Sequence, residues 1–83
     1  MNITLKLYAS LGAFLPPGSA RNAIDLDVAN GATIGDVLLQ QNVPRENCHL
    51  ILVNGIFAPP ASADAKQLNE GDSLAVWPPV AGG

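Results

Sequence analysis

Apolar and polar residues alternate strictly over NITLKLY, with Ile3, Leu5 and Leu7 set against Thr4, Lys6 and Tyr8. A period of two marks a strand with one buried face, so a strand is predicted over 2–8. The ASLGAFL that follows is compatible with a short helix, closed by Pro16, Pro17 and Gly18. NAIDLDV alternates again, with Ile24, Leu26 and Val28 inward and Asp25 and Asp27 outward, before an Asn30-Gly31 turn. Two short alternating runs with a loop between them read as an antiparallel pair at one sheet edge.

The pattern then changes to a helical one. In TIGDVLLQQN, Ile34, Val37 and Leu38 fall at i, i+3 and i+4, which makes one apolar stripe. Thr33 is the expected N-cap, Asp36 three residues on completes a capping-box-like pattern, and Pro44 is expected to end the helix. Gly35 in the first turn weakens it by up to about 1 kcal/mol relative to alanine. HLILV is a continuous apolar run, as expected of a strand covered on both sides. Asn54-Gly55 after it is a strong hairpin signal, with IFA as a brief return. The following PPASADAKQLNEGD reads as a loop with one helical turn near 65–68, and Glu70-Gly71-Asp72 turns the chain into a last strand, SLAVW.

The predicted order is β-β-α-β-β-β, an α+β arrangement in which one amphipathic helix covers one face of a small mixed sheet. Ubiquitin-like β-grasp folds use this order, with the first and last strands adjacent and parallel in the sheet centre. A length of 83 residues, with no repeat and no linker, is expected to make a single domain over 1–77 followed by a flexible tail over 78–83. The chain is 48% hydrophobic and only 13% charged, against a usual charged fraction of about 25%. That balance argues against disorder and leaves apolar surface facing outward, a first sign of a partner.

Net charge is −3 and no Lys/Arg cluster exists, so nucleic-acid binding lacks its electrostatic footprint. No stretch approaches the roughly 18 apolar residues of a membrane span. The alternation in 2–8 also speaks against a cleaved signal, whose core would be uniformly apolar. A single cysteine, Cys48, has no internal partner for a disulfide, which suits a reducing cytoplasm. His49 is adjacent to it, but neighbouring residues on a strand point to opposite faces. A Cys-His nucleophile and a metal site are therefore both set aside, the second for want of ligands. The seven acidic residues read as solvated faces, turns and one helix start, not as an acid/base pair.

The end of the sequence, WPPVAGG, carries the candidate chemistry. Pro78 and Pro79 fix φ near −65° and favour an extended path. The six residues from Pro78 onward would place the last carboxylate at most about 20 Å from the body. Gly82 and Gly83 lack a Cβ and would pass where other residues clash. Such a carboxylate is inert until adenylated, when it becomes an acyl donor. In the last strand Leu74 and Val76 share a face, which puts Trp77 on the other, and Tyr8 likewise opposes Ile3, Leu5 and Leu7. If these strands are neighbours, Tyr8 and Trp77 meet on the outer face, with Phe57 as a third aromatic there. They are candidates for a partner interface, or alternatively shield the far side of a thin sheet.

NEGDSLAVWPPVAGG resembles the C-terminus of the MoaD/ThiS sulfur-carrier family, especially the small subunit of molybdopterin synthase, and LVNG before a variable loop is similar too. The resemblance implies a protein that is no enzyme on its own and binds no cofactor. An E1-like adenylyltransferase would use ATP on the Gly83 carboxylate, and a sulfurtransferase donor would convert it to a thiocarboxylate. Pro78, Pro79, Val80, Ala81 and Gly82 would line a channel in the large subunit, where sulfur passes to a pterin precursor for the dithiolene of the molybdenum (or tungsten) cofactor. A heterotetramer with the large subunits in the middle is the implied assembly. Trp77, where phenylalanine is commoner, and a longer 58–67 loop depart from the family pattern. The alternatives are a carrier for thiazole or sulfur amino-acid synthesis, a ubiquitin-like modifier joined through Gly83, and a plain binding module with an inert tail. Lys6 and Lys66 are the only lysines for self-attachment.

Overall fold

The computed structural model describes residues 1–17, 19 and 21–79. Strands β1 (Asn2–Leu7), β2 (Ala23–Asp27), β3 (Leu50–Val53), β4 (Ile56–Phe57) and β5 (Ser73–Trp77) form one five-stranded sheet in the order β2-β1-β5-β3-β4. β1 and β5 run parallel in its centre, with Leu5 opposite Leu74 and Leu7 opposite Val76, and every other pairing is antiparallel. This is the ubiquitin-like β-grasp arrangement that the element order predicts. The ASLGAFL segment forms a 3-10 helix over Ala9–Phe14.

Helix α1 (Ile34–Gln40) lies on the inner face, where Ile34, Val37 and Leu38 share one core with Ile3, Leu5, Leu7, Ile51, Leu74 and Val76. Its start is the expected capping box: the Asp36 N–H donates to the Thr33 hydroxyl at 3.1 Å, and the Thr33 N–H donates to the Asp36 carboxylate at 3.0 Å. Its end differs from expectation. Asn42 adopts φ 59°, its N–H donates to the Leu39 carbonyl, and the Val43 N–H donates to the Leu38 carbonyl. That is a Schellman motif with asparagine in the left-handed position, so the helix stops before Pro44 can act.

Two further expectations are corrected. The helical turn in the long loop is α2 (Pro60–Ala63), not 65–68. Pro60 at the first helical position gives up no hydrogen bond and has its φ already set. Residues 65–68 are instead taken up by the entry to α1: the Ile34 N–H donates to the Lys66 carbonyl, the Leu68 N–H donates to the Ala32 carbonyl, and Thr33 bridges Gln67. The third correction concerns β3, which is covered on one side only. Ile51 and Val53 are buried beneath the helix, while Leu50 and Leu52 are half-buried on the outer face.

Candidate functional site

The end of β5 is held from both sides. The Tyr8 N–H donates to the Val76 carbonyl at 3.1 Å and the His49 N–H donates to the Trp77 carbonyl at 2.8 Å. The backbone is therefore fixed up to the point where Pro78 begins. Val80, Ala81, Gly82 and Gly83, which carry the expected chemistry, lie outside the described residues.

Around this exit the outer face is apolar. Leu7 pairs with Val76, so Tyr8 follows onto the outer side beside Trp77, and their rings stack with centroids 4.4 Å apart and planes inclined by 7°. Ala9 then takes φ 52° and turns the chain into the 3-10 helix. Trp77 is in register with Leu50, Ala75 with Leu52, and Leu52 with Phe57. A depression of about 500 Å³ lies beside Trp77, bounded by Ala9, His49, Leu50 and the two prolines.

Phe57 lies on the same face and is 52% exposed, but the stacked pair is Tyr8 and Trp77 alone among the described aromatics. Leu50 and Leu52 fill the register positions between Phe57 and Trp77. Sequence reasoning did not single out these two leucines. The signal was the HLILV run itself: alternation obliges two of its residues to face away from the core.

Cys48 is buried, and its thiol donates to the Pro44 carbonyl at 3.5 Å, whereas His49 is exposed. Burial pushes the thiol pKa up; Arg45 opposes this, and Asp64 and Glu46 reinforce it more weakly. The carboxylates are occupied locally: Asp25 accepts from the Thr4 hydroxyl at 3.0 Å, Asp36 caps α1, and Asp72 accepts from Asn54 and from the Asn69 N–H. Among the described residues no group of three or more His, Cys, Asp or Glu side chains is arranged to hold a metal ion. No described helix is long and apolar enough to cross a membrane. What the described site offers is an apolar face beside a fixed chain exit.

Residues 1–82 match the model of the family described as Mut7-C ubiquitin. No curated protein sequence matches the chain. Among solved structures, the HVO 2177 protein of Haloferax volcanii is 29% identical over the whole of this chain and 87% of its own, with a TM-score of 0.74. Small archaeal modifier protein 1 of H. volcanii is 26% identical over 95% of this chain and 98% of its own, with a TM-score of 0.67. A Pyrococcus furiosus chain provisionally assigned as molybdopterin converting factor, subunit 1, shares the fold at 18% identity and a TM-score of 0.67, over 95% of this chain and 98% of its own.

Proposed function

The chain belongs to the Mut7-C ubiquitin family, and from that premise we propose that it is a sulfur carrier whose Gly83 carboxylate is the reactive group. The fold is shared with small archaeal modifier protein 1 and with the P. furiosus chain assigned as a molybdopterin converting factor subunit. The observation that supports the carrier reading is the exit of β5. Trp77 is pinned by hydrogen bonding beside an apolar outer face, and in the sequence Pro78-Pro79 stands between it and Gly82-Gly83. A partner docked on that face would receive the tail in one direction.

In the proposed reaction a Gly83 carboxylate oxygen attacks the α-phosphorus of ATP on an E1-like enzyme, and pyrophosphate leaves. A donor at the oxidation level of sulfide then attacks the acyl carbon. The C–O bond to AMP breaks, AMP departs, and a Gly83 thiocarboxylate remains. The further step we propose is delivery of this sulfur to a pterin precursor within a molybdopterin synthase large subunit, for which the Trp-Pro-Pro-Val approach and the shared fold of the P. furiosus chain are the support.

The likeness to small archaeal modifier protein 1 favours one second reading, attachment of Gly83 to lysines of other proteins. The intact mass of the chain after incubation with ATP, an E1-like enzyme of its host and sulfide separates the two. A gain matching one oxygen replaced by sulfur, located on Gly83, is expected of the carrier. An unchanged mass together with lysine-linked adducts of other proteins would overturn it in favour of the modifier.

A further inference from the structure

Two asparagines of the chain, Asn30 and Asn54, are followed by glycine, and both pairs lie on exposed turns. Asn30 and Gly31 are the central residues of a turn closed by the Ala32 N–H donating to the Ala29 carbonyl at 3.0 Å, with Gly31 at φ 83°. Asn54 and Gly55 turn β3 into β4, with Gly55 at φ 80°. Space does not distinguish the two. A Cβ on Gly31 would meet nothing nearer than the Gln67 Nε2 at 4.0 Å, and one on Gly55 would meet nothing within that distance.

The side-chain amides do differ. Asn54 Nδ2 donates to Asp72 at 2.9 Å and Asn54 Oδ1 accepts the Ser73 N–H at 2.8 Å, so both ends of the amide are held at the start of β5. The side-chain hydrogen bonds nearest to Asn30 along the chain are those of Asp27 and of the Thr33–Asp36 box, and among the described residues none holds the Asn30 amide.

We propose that Asn30 is a site of spontaneous deamidation and isoaspartate formation, and that Asn54 is protected by its bonds to Asp72 and Ser73. Glycine leaves the approach open because it has no Cβ. The Gly31 amide nitrogen, having lost its proton to hydroxide, attacks the Asn30 Cγ. The new N–C bond closes a five-membered imide, the Cγ–Nδ2 bond breaks, and ammonia leaves with a proton from water. Water then opens the imide. Attack at Cγ gives aspartate, and attack at the former main-chain carbonyl gives isoaspartate. An amide and water become a carboxylate and ammonium, with no change of oxidation state. At Asn54 the same attack requires the amide to leave both partners first, and two hydrogen bonds of ordinary net strength slow it by about 10–100-fold.

Isoaspartate routes the main chain through Cγ and lengthens the turn by one atom. The change falls just before Ala32, whose carbonyl accepts the Leu68 N–H at 2.9 Å, and before Thr33, which caps α1. It therefore acts on the entry to α1 and leaves the exit of β5 untouched, whatever the tail does.

The test ages the folded chain in warm, mildly alkaline buffer and maps it with trypsin, which separates Asn30 in peptide 22–45 from Asn54 in peptide 46–66. The mass gain of one amide-to-acid conversion is expected at Asn30 about 10–100-fold faster than at Asn54. Peptide 22–45 is expected to accept methyl groups from S-adenosylmethionine through an isoaspartyl O-methyltransferase. In urea the two rates are expected to converge, since both asparagines have the same neighbour. Asp72→Ala removes one partner and is expected to raise the rate at Asn54 about 5-fold while leaving Asn30 unchanged. Should that variant fail to fold, the wild-type comparison between buffer and urea decides alone. Equal rates at the two sites in the folded chain, or a faster Asn54, would overturn the proposal. So would an Asn30 that reacts in urea but not in the folded chain, or a folded Asp72→Ala variant in which Asn54 reacts no faster.

Discussion

The N–H of Gly35 donates to the carbonyl of Asp64 at 3.1 Å, and a Cβ built on Gly35 would stand 3.0 Å from that same oxygen. The first turn of α1 is thus clamped against the chain leaving α2. Helix propensity alone predicts that Gly35→Ala stabilises by about 1 kcal/mol. The contact reverses the sign, because the oxygen it meets is backbone and is already bound. A net loss of about 1 kcal/mol is expected, from overpacking that outweighs the propensity gain. Urea unfolding of the variant checks it, and a raised midpoint would show that the 64–66 segment yields freely.

Asn54 does two jobs at the hairpin. It adopts φ 52° ahead of Gly55 at φ 80°, and its side chain donates to Asp72 at 2.9 Å and accepts the Ser73 N–H at 2.8 Å. Asn54→Gly keeps the turn but removes both side-chain bonds, at a cost of about 1–2 kcal/mol. Asn54→Ala loses the same bonds and adds a left-handed alanine, about 1 kcal/mol more. The expected order of stability is wild type, then glycine, then alanine, read from thermal unfolding. Equal losses in the two variants would mean that backbone strain contributes nothing at this turn.

The same residues show what a reader of the sequence sees and misses. Alternation over Ile3, Leu5 and Leu7, and over Leu74 and Val76, exposes the two central strands, because a half-buried strand has no other pattern. The Thr33–Asp36 box and Asn54-Gly55 are local chemistry and are legible for that reason. The fate of 65–68 is not local: its carbonyl and N–H groups are claimed by Ile34 and Ala32, more than thirty residues back. Asn42 and Pro44 are both stop signals, and only backbone geometry decides which acts first. Leu50 and Leu52 escaped notice because an apolar run reads the same whether its second face is covered by the chain or left for another molecule. The juxtaposition of Tyr8 with Trp77 follows from the parallel pairing of β1 with β5 once that pairing is inferred.

Cys48 makes stability fall at alkaline pH. Its folded pKa is raised, first by burial, above the ordinary value of 9.0. Below the unfolded pKa the thiol is protonated in both states and its contribution is fully present. As pH rises past about 9 the unfolded thiol ionises first, and the stabilisation is lost up to the folded pKa. Cys48→Ala is expected to flatten the fall in unfolding free energy as pH rises past about 9, measured against wild type. Native alkylation by iodoacetamide is expected to be slower than in urea, since the thiolate is the reactive form. Equal rates in the two states would contradict the buried placement.

Trp77 is the single tryptophan, so its emission reports the outer face directly. Stacked on Tyr8 and half-buried, it is shielded on one ring face by the phenol. Tyr8→Ala removes that cover and is expected to shift Trp77 emission to longer wavelength. The accompanying loss of stability is about 0.5–1.5 kcal/mol for the aromatic pair, besides lost burial. Tyr8→Phe keeps the ring and is expected to leave both quantities near wild type, because among the described residues no hydrogen bond of the phenol holds the stack. Binding of a partner over this face would move the emission the opposite way, to shorter wavelength, as water leaves the indole. A Tyr8→Ala variant with unchanged emission would place the indole's exposure under the control of Leu50 and Pro78 instead, and the stack would then contribute packing without shaping the surface that a partner meets.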